Sequence, residues 1–160
     1  MNAWVSENRI CVGQEKVKDK SNEITAIPEV LKSLDIEEAI VTIDAIGTQT
    51  EIADQIREQK GHYLLSVKGN QKELLDDIQC AFRTHNGYDC VEDLDSGHGR
   101  IETRRCSILS ANDFLLQENL TAWKNLTTLV KVEDFREIKG IRSVIISAMK
   151  ISPMLLIIKH

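Results

Sequence analysis

Positive charge is scarce in this sequence: 20 Lys and Arg stand against 25 Asp and Glu, a formal net charge of -5. That balance excludes a protein that holds nucleic acid through bulk positive charge, while leaving room for a local basic groove. Paired cysteines are missing too. Cys11, Cys80, Cys90 and Cys106 are widely spaced with no C-x-x-C unit, and together with His62, His85, His98 and His160 they fit no compact zinc-ligand pattern. No secretory signal is recognisable, so the thiols are expected to be reduced, small buried apolar side chains of a cytoplasmic protein. Long hydrophobic runs are also absent. Residues 144–158 are rich in Ile, Leu and Met, but Lys150 and Pro153 interrupt them and the stretch is short for a bilayer span, so no membrane partner is expected. There is no internal repeat, low-complexity tract or domain linker. What remains is 160 residues, 42% hydrophobic and 28% charged, enough for one ordinary globular domain with a real core.

Hydrophobic periodicity gives the elements. Residues 3–6 and 9–14 are short β-prone segments around Glu7-Asn8, which predicts a hairpin turning at the Asn. After a polar connector, Ser21 or Asn22 can cap a helix through Leu34 with Ile24, Ile27, Leu31 and Leu34 on one face, and Pro28 falls near its first turns. Ala39-Ile40-Val41-Thr42-Ile43 is the pattern of a central strand covered on both faces, ending at Asp44. Thr48 with Glu51 forms a capping-box pattern for a helix to about Lys60, and Gly61 stands where its C-terminal cap is expected. Residues 63–67 are the next buried strand, followed by Lys68-Gly69-Asn70-Gln71 and a helix over 72–84 with Leu75, Ile78, Cys80, Ala81 and Phe82 as core candidates. Strand, helix, strand, helix from Ile40 to Phe82 is an α/β pattern with two parallel strands. Beyond a polar Gly/Asp-rich loop the character changes. Residues 100–109 alternate as a strand does, and residues 126–132 and 136–147 suggest two more strands, so the C-terminal part is β-rich.

Asp44 is the first candidate for chemistry, because ligands of open α/β sheets bind beyond the carboxyl ends of the strands. Its alternative is a turn or cap residue, although Thr48 as the cap would leave it free. One aspartate makes no active site by itself: phosphoryl transfer with two divalent cations about 3.5–4 Å apart needs several carboxylates converging from different elements. The segment Gly97-His98-Gly99-Arg100-Ile101-Glu102-Thr103-Arg104-Arg105 can contact phosphates through its arginines, or can be a hairpin strand whose Arg100, Glu102 and Arg104 form a solvated ion-pair face. Lys68 and Asn70 carry the same ambiguity, between a phosphate contact and a turn.

Four stretches together point to one family. Ala3-Trp4-Val5-Ser6 through Gly13-Gln14-Glu15-Lys16-Val17 and Lys20-Ser21-Asn22-Glu23-Ile24, then Ile43-Asp44-Ala45, then Tyr63-Leu64-Leu65-Ser66-Val67-Lys68-Gly69-Asn70-Gln71, then Gly97 to Arg104, resemble the H-repeat-associated transposases of bacterial insertion sequences. These are members of the DDE superfamily with a ribonuclease-H-like core, and the resemblance runs from about Ala3 to about Gly140. It implies metal-dependent cleavage and joining of transposon ends, with Mg²⁺ or Mn²⁺ held by Asp, Asp and Glu. Asp44 matches the second aspartate. The first belongs to a strand ahead of the Ala-Trp segment and the glutamate to a later helix, and neither is found here. Glu102 lies in the strand region before that helix and is not a substitute.

The resemblance therefore implies an incomplete ribonuclease-H-like mixed sheet with flanking helices and a β-rich C-terminal part. Residues 1–140 would be a partial catalytic domain, and residues 141–160 a divergent apolar tail of the kind a reading-frame change leaves. The chain is expected to be inactive alone and to self-associate through unpaired strand edges. Lys68, Asn70, His98, Arg100 and Arg104 are its candidate DNA contacts. Two other readings stand beside this one: a non-enzymatic partner or inhibitor of full-length transposase, and an unrelated small α/β phosphate-binding domain using Asp44 and Lys68.

Overall fold

The computed structural model describes residues 1–15, 23–85, 89–97, 100–138 and 141–151. The chain opens with β1 (Asn2–Val5) and β2 (Ile10–Gln14), an antiparallel hairpin that forms a two-stranded sheet of its own. Its turn follows the expected chemistry. The Asn8 side-chain oxygen accepts from the Ile10 amide at 3.4 Å, and Arg9 takes a left-handed φ of 55°.

Helix α1 (Glu23–Lys32) follows, with Pro28 inside it. Ala26, Ile27, Val30 and Leu31 are buried, whereas Ile24, expected on the core face, is exposed. The expected caps Ser21 and Asn22 lie outside the described residues. Strand β3 (Ile40–Ile43) then runs parallel to β4 (His62–Val67), and α2 (Thr50–Glu58) links them. Helix α3 (Lys72–Thr84) completes the α/β unit.

The second half is an antiparallel meander of β5 (Asp89–Gly97), β6 (Arg100–Ser110), β7 (Thr128–Ile138) and β8 (Ile141–Ile151), with short helices α4 (Ala111–Phe114) and α5 (Gln117–Ala122) between β6 and β7. It joins the α/β unit through β8, whose end pairs antiparallel with β4, giving one six-stranded mixed sheet in the order β3-β4-β8-β7-β6-β5. Only Ala148 to Ile151 of β8 pair with β4. The rest of β8 and the facing part of β7 continue past the carboxyl end of β4, so the meander overhangs the end of the sheet that carries Asp44.

Several expectations are corrected. Strand β3 is not central but an edge strand, and Ile40 is exposed. Its β-branched run satisfies strand geometry whether or not a neighbour covers it. Residues 89–97, read as a polar loop, are a strand, because its acidic positions face basic ones across β6: Glu92 pairs with Arg105 by side chain and Asp93 stands in register with Arg104. Thr48 does not cap α2. Gln49 occupies that position without a side-chain cap. At the other end Lys60, not Gly61, takes the left-handed conformation (φ 60°), and Gly61 is needed for space, since a Cβ there would lie 2.9 Å from the Ile36 carbonyl oxygen. None of the four cysteines is buried: Cys11, Cys80 and Cys90 are exposed and Cys106 is half-buried, all as free thiols. On α3 the inward face is Leu74, Ile78, Ala81 and Phe82, at helical spacing, which turns Cys80 outward. Residues 141–151 form β8, in the middle of the sheet, while 152–160 lie outside the described residues.

The core sits between the α/β layer and the start of β7. Ile27, Ile52, Ile56, Tyr63, Leu65, Ile78, Leu109 and Leu129 are among its members. Tyr63 is fully buried, and its hydroxyl donates to the Lys124 carbonyl at 2.9 Å, tying β4 to the segment before β7.

Candidate functional site

Strand β3 delivers Asp44 to the carboxyl end of the parallel pair, one residue past the Ile43–Leu65 rung. The chain then makes a 3-10 turn, Ala45–Gly47, before α2. Asp44 is exposed and its carboxylate makes no cap hydrogen bond, while its backbone carbonyl accepts from the Gly47 amide at 3.2 Å. The backbone of Asp44 thus holds the turn and its side chain projects from it without a partner among the described residues.

What fixes the turn is a set of hydrogen bonds from the neighbouring strand end. Thr48 is fully buried, and its hydroxyl donates to the Ser66 carbonyl at 2.6 Å. Its single proton serves that contact rather than the Asp44 carbonyl 3.3 Å away. From the segment after β4, the Asn70 carboxamide donates to the Ala45 carbonyl at 2.6 Å and the Gln71 carboxamide donates to the Thr48 carbonyl at 3.0 Å. Gly47 is buried in this turn, against Ile27 and Ile43. Sequence reasoning found Asp44 and Asn70 but missed Gln71, Gly47 and the role of Thr48. The signal for Gln71 was its place in the Lys-Gly-Asn-Gln stretch; nothing local could show which carbonyl its amide would meet.

Lys68 follows β4 in extended conformation, ahead of a second 3-10 turn, Gly69–Gln71. It lines a cavity of about 470 Å³ together with Ser66, Phe82, Arg83 and Lys131. The Lys131 ammonium lies 5.4 Å from the centre of the Phe82 ring and 3.2 Å from a Glu133 carboxylate oxygen. Lys68 and Arg83 have no ion-pair partner among the described residues. The cavity is thus flanked by three cationic side chains on a protein whose net charge is negative, and Ser66 places it one strand over from Asp44.

Arg104 is elsewhere. Three strands separate β6 from β3, so the two are about 19 Å apart across the sheet, and Arg104 is displaced about a further 14 Å along the strand direction. Its guanidinium donates to an Asp134 carboxylate oxygen at 2.8 Å in an exposed pair, and that hydrogen bond raises its pKa further above the usual arginine value. Of the ion-pair face weighed for this segment, Arg104 is paired, to Asp134 of β7 across the sheet, while Glu102 is half-buried rather than solvated. Arg100 opens β6, but its side chain, like the whole of His98, lies outside the described residues.

Among the described residues no group of three or more His, Cys, Asp or Glu is placed to hold a metal ion. Asp44, a lone exposed carboxylate, does not fit a two-ion centre, since hard divalent cations need several oxygen ligands to displace their hydration water. No helix among the described residues is long and apolar enough to cross a membrane.

Asp44 thus stands exposed at the end of a parallel strand, one strand over from a mainly apolar cavity that Lys68, Arg83 and Lys131 also line. Residues 2–145 match the family described as "Transposase DDE domain", and the chain belongs to that family. Its relatives include H repeat-associated and other transposase-named proteins of bacteria. It is 37% identical over 145 residues to "H repeat-associated putative transposase YhhI" of Escherichia coli (strain K12), covering 86% of this chain and 37% of that protein. It is 38% identical over 152 residues to "Putative transposase YncI" of Escherichia coli O157:H7, covering 89% and 37%. A protein of Xanthobacter autotrophicus, "Uncharacterized protein in dhlA 3'region", is 43% identical over 143 residues, covering 88% and 48%. The chain therefore spans less than half the length of these relatives.

Proposed function

We propose that this chain is a portion of a DDE transposase catalytic domain in which Asp44 is one of the carboxylates of the divalent-metal centre, and that it does not cleave DNA alone. The observation that carries the reading is the state of Asp44: a carboxylate unpaired among the described residues, exposed at the carboxyl end of a parallel strand, on a turn pinned to the neighbouring strand. DDE transposase domains generally use divalent metal ions. Here Mg²⁺ or Mn²⁺ would need further carboxylates besides Asp44, and two ions so held would supply water activation and charge neutralisation at the phosphodiester. Lys68, with the cavity it shares with Arg83 and Lys131, is suited to a DNA phosphate near Asp44, and Arg100 and Arg104 to more distant backbone contacts along the overhanging strands.

A ribonuclease-H-like arrangement is supported by the topology. Among the described residues the hairpin β1–β2 is a sheet apart, and β3 lies at the edge of the large sheet with one backbone ladder unpaired. One strand between β1 and β3 would join them into a single sheet and bring a second aspartate beside Asp44. The open edge of β3 also favours the second reading, a non-enzymatic partner that pairs with intact transposase and damps it.

The test is a Mg²⁺- or Mn²⁺-dependent nicking assay on transposon-end DNA, with this chain as wild type and Asp44→Asn, and the matching aspartate substitution in an intact relative. No Asp44-dependent cleavage by this chain and loss of cleavage by the substituted relative are expected. Asp44-dependent cleavage by this chain overturns its inactivity; a fully active substituted relative overturns the role of Asp44. Co-purification with intact transposase separates the partner reading from an inert fragment.

A further inference from the structure

We propose that the cavity between the end of β4, helix α3 and β7 is a binding site for a small organic anion with an apolar body, such as an aryl or alkyl phosphate. The site needs neither Asp44 nor a metal, and it stands whether or not the chain acts on DNA. At about 470 Å³ the cavity has the size that takes small organic ligands. Val67, at the end of β4, supplies one wall. Leu75, Ile78 and Phe82 supply another, since their helical spacing puts them on one face of α3. Gly69 lines the cavity as well, and a Cβ added there would meet no atom within 4 Å, so nothing crowds that side.

Three cations meet these apolar walls: Lys68, Arg83 and Lys131. Lys131 is half-buried, lies over the Phe82 ring and is balanced by Glu133 at 3.2 Å. Lys68 and Arg83 are exposed and have no ion-pair partner among the described residues. An anion between them completes the charge balance. A bare phosphate would meet the two cations and leave the apolar walls without a partner, whereas a neutral apolar molecule would do the reverse. A ligand that joins the two parts satisfies the whole cavity. Duplex DNA offers phosphates but keeps its bases stacked, so it supplies the charge without the apolar body.

Methyl and amide NMR spectra of the full chain, titrated with naphthyl phosphate, inorganic phosphate or a DNA duplex, test this. Naphthyl phosphate should shift the methyls of Val67, Leu75 and Ile78, and should bind at least about tenfold more tightly than inorganic phosphate. Replacing both cations, Lys68→Gln with Arg83→Gln, should weaken it by about fivefold, and added salt should weaken its binding to wild type in the same direction. Both side chains are exposed, so the double variant probes the site without threatening the fold. The duplex should leave the three wall methyls in place. Equal affinity for naphthyl and inorganic phosphate, or shifts that miss the walls, overturns the site. Unchanged affinity in the double variant shows apolar adsorption alone and overturns the anion's part in it. Wall methyls that answer the duplex as they answer naphthyl phosphate would assign the cavity to DNA and overturn the proposal; none of these outcomes touches the role of Asp44.

Discussion

Replacing Gly47 with alanine should destabilise the protein by about 1–2 kcal/mol and loosen the Asp44 turn. A Cβ at position 47 would lie 2.6 Å from Ile27 Cδ1 and closer still to Ile43 Cγ2. Carbon atoms settle at about 3.5–4.0 Å, so each contact is short by about 1 Å. Ile27 is 2% exposed and has little space to rotate into. Ile43 is β-branched and in a strand, so its Cγ2 moves only with χ1 or the backbone. The turn itself must shift, and overpacking of this kind costs about 1–3 kcal/mol. Part is offset by the lower entropy of the unfolded alanine chain, about 0.4–1 kcal/mol. The shift would also strain the Asn70–Ala45 and Thr48–Ser66 hydrogen bonds, both 2.6 Å. Urea denaturation of Gly47→Ala, Ile27→Val and the double variant measures this. Ile27→Val removes the clashing Cδ1 and alone should cost about 0.5–1.5 kcal/mol, so the double variant should be less destabilised than the sum by at least about 0.5 kcal/mol. A Gly47→Ala protein as stable as wild type, or strictly additive effects, would refute the steric reasoning.

Tyr63→Phe should cost about 0.5–1.5 kcal/mol in urea melts, because it removes the hydrogen bond that the buried hydroxyl donates to the Lys124 carbonyl. Burial also raises the Tyr63 pKa, so the folded state resists ionisation of this group. The stability it contributes is complete below the unfolded value near 10 and declines as pH rises above it; Tyr63→Phe should flatten the alkaline limb of a stability-pH curve, and an unchanged limb would count against this. Thr48→Val, isosteric but without a hydroxyl, should cost about 1–3 kcal/mol by denaturant midpoint, since the Ser66 carbonyl loses a short bond in a fully buried place. Arg104→Ala should change stability by less than about 1 kcal/mol, because both members of its pair with Asp134 are well exposed; a larger loss in a salt-dependent melt would show that the pair is more than a surface contact.

Much of the local structure was legible from residue order. Hydrophobic spacing placed α3 over residues 72–84, a β-branched run placed β3, the short apolar run 63–67 placed β4, and the alternation after Gly99 placed β6. These are short-range properties: a helical stripe or a strand period is written within ten or so residues. Asp44 could be singled out for the same reason, as the residue ending a strand, and the resemblance named its family, which residues 2–145 share. Charge hid β5, because Asp89 to Gly97 has the composition of a loop and becomes a strand through pairing with β6 and the arginines it carries. Thr48 and Gly61 were misread locally, since each answers to a distant group, the Ser66 carbonyl and the Ile36 carbonyl.

Sequence order alone decided most of the helices and strands, β5 excepted, which residue stands at the end of β3, and which family the chain joins. Packing in three dimensions decided that β3 is an edge, that β8 enters between β4 and β7, and that the Lys-Gly-Asn-Gln segment reaches back to hold the turn after Asp44. The physical reason is range. Backbone propensity acts over one or two turns of chain, whereas strand neighbours and side-chain amides choose partners by proximity in space, which no window along the chain records.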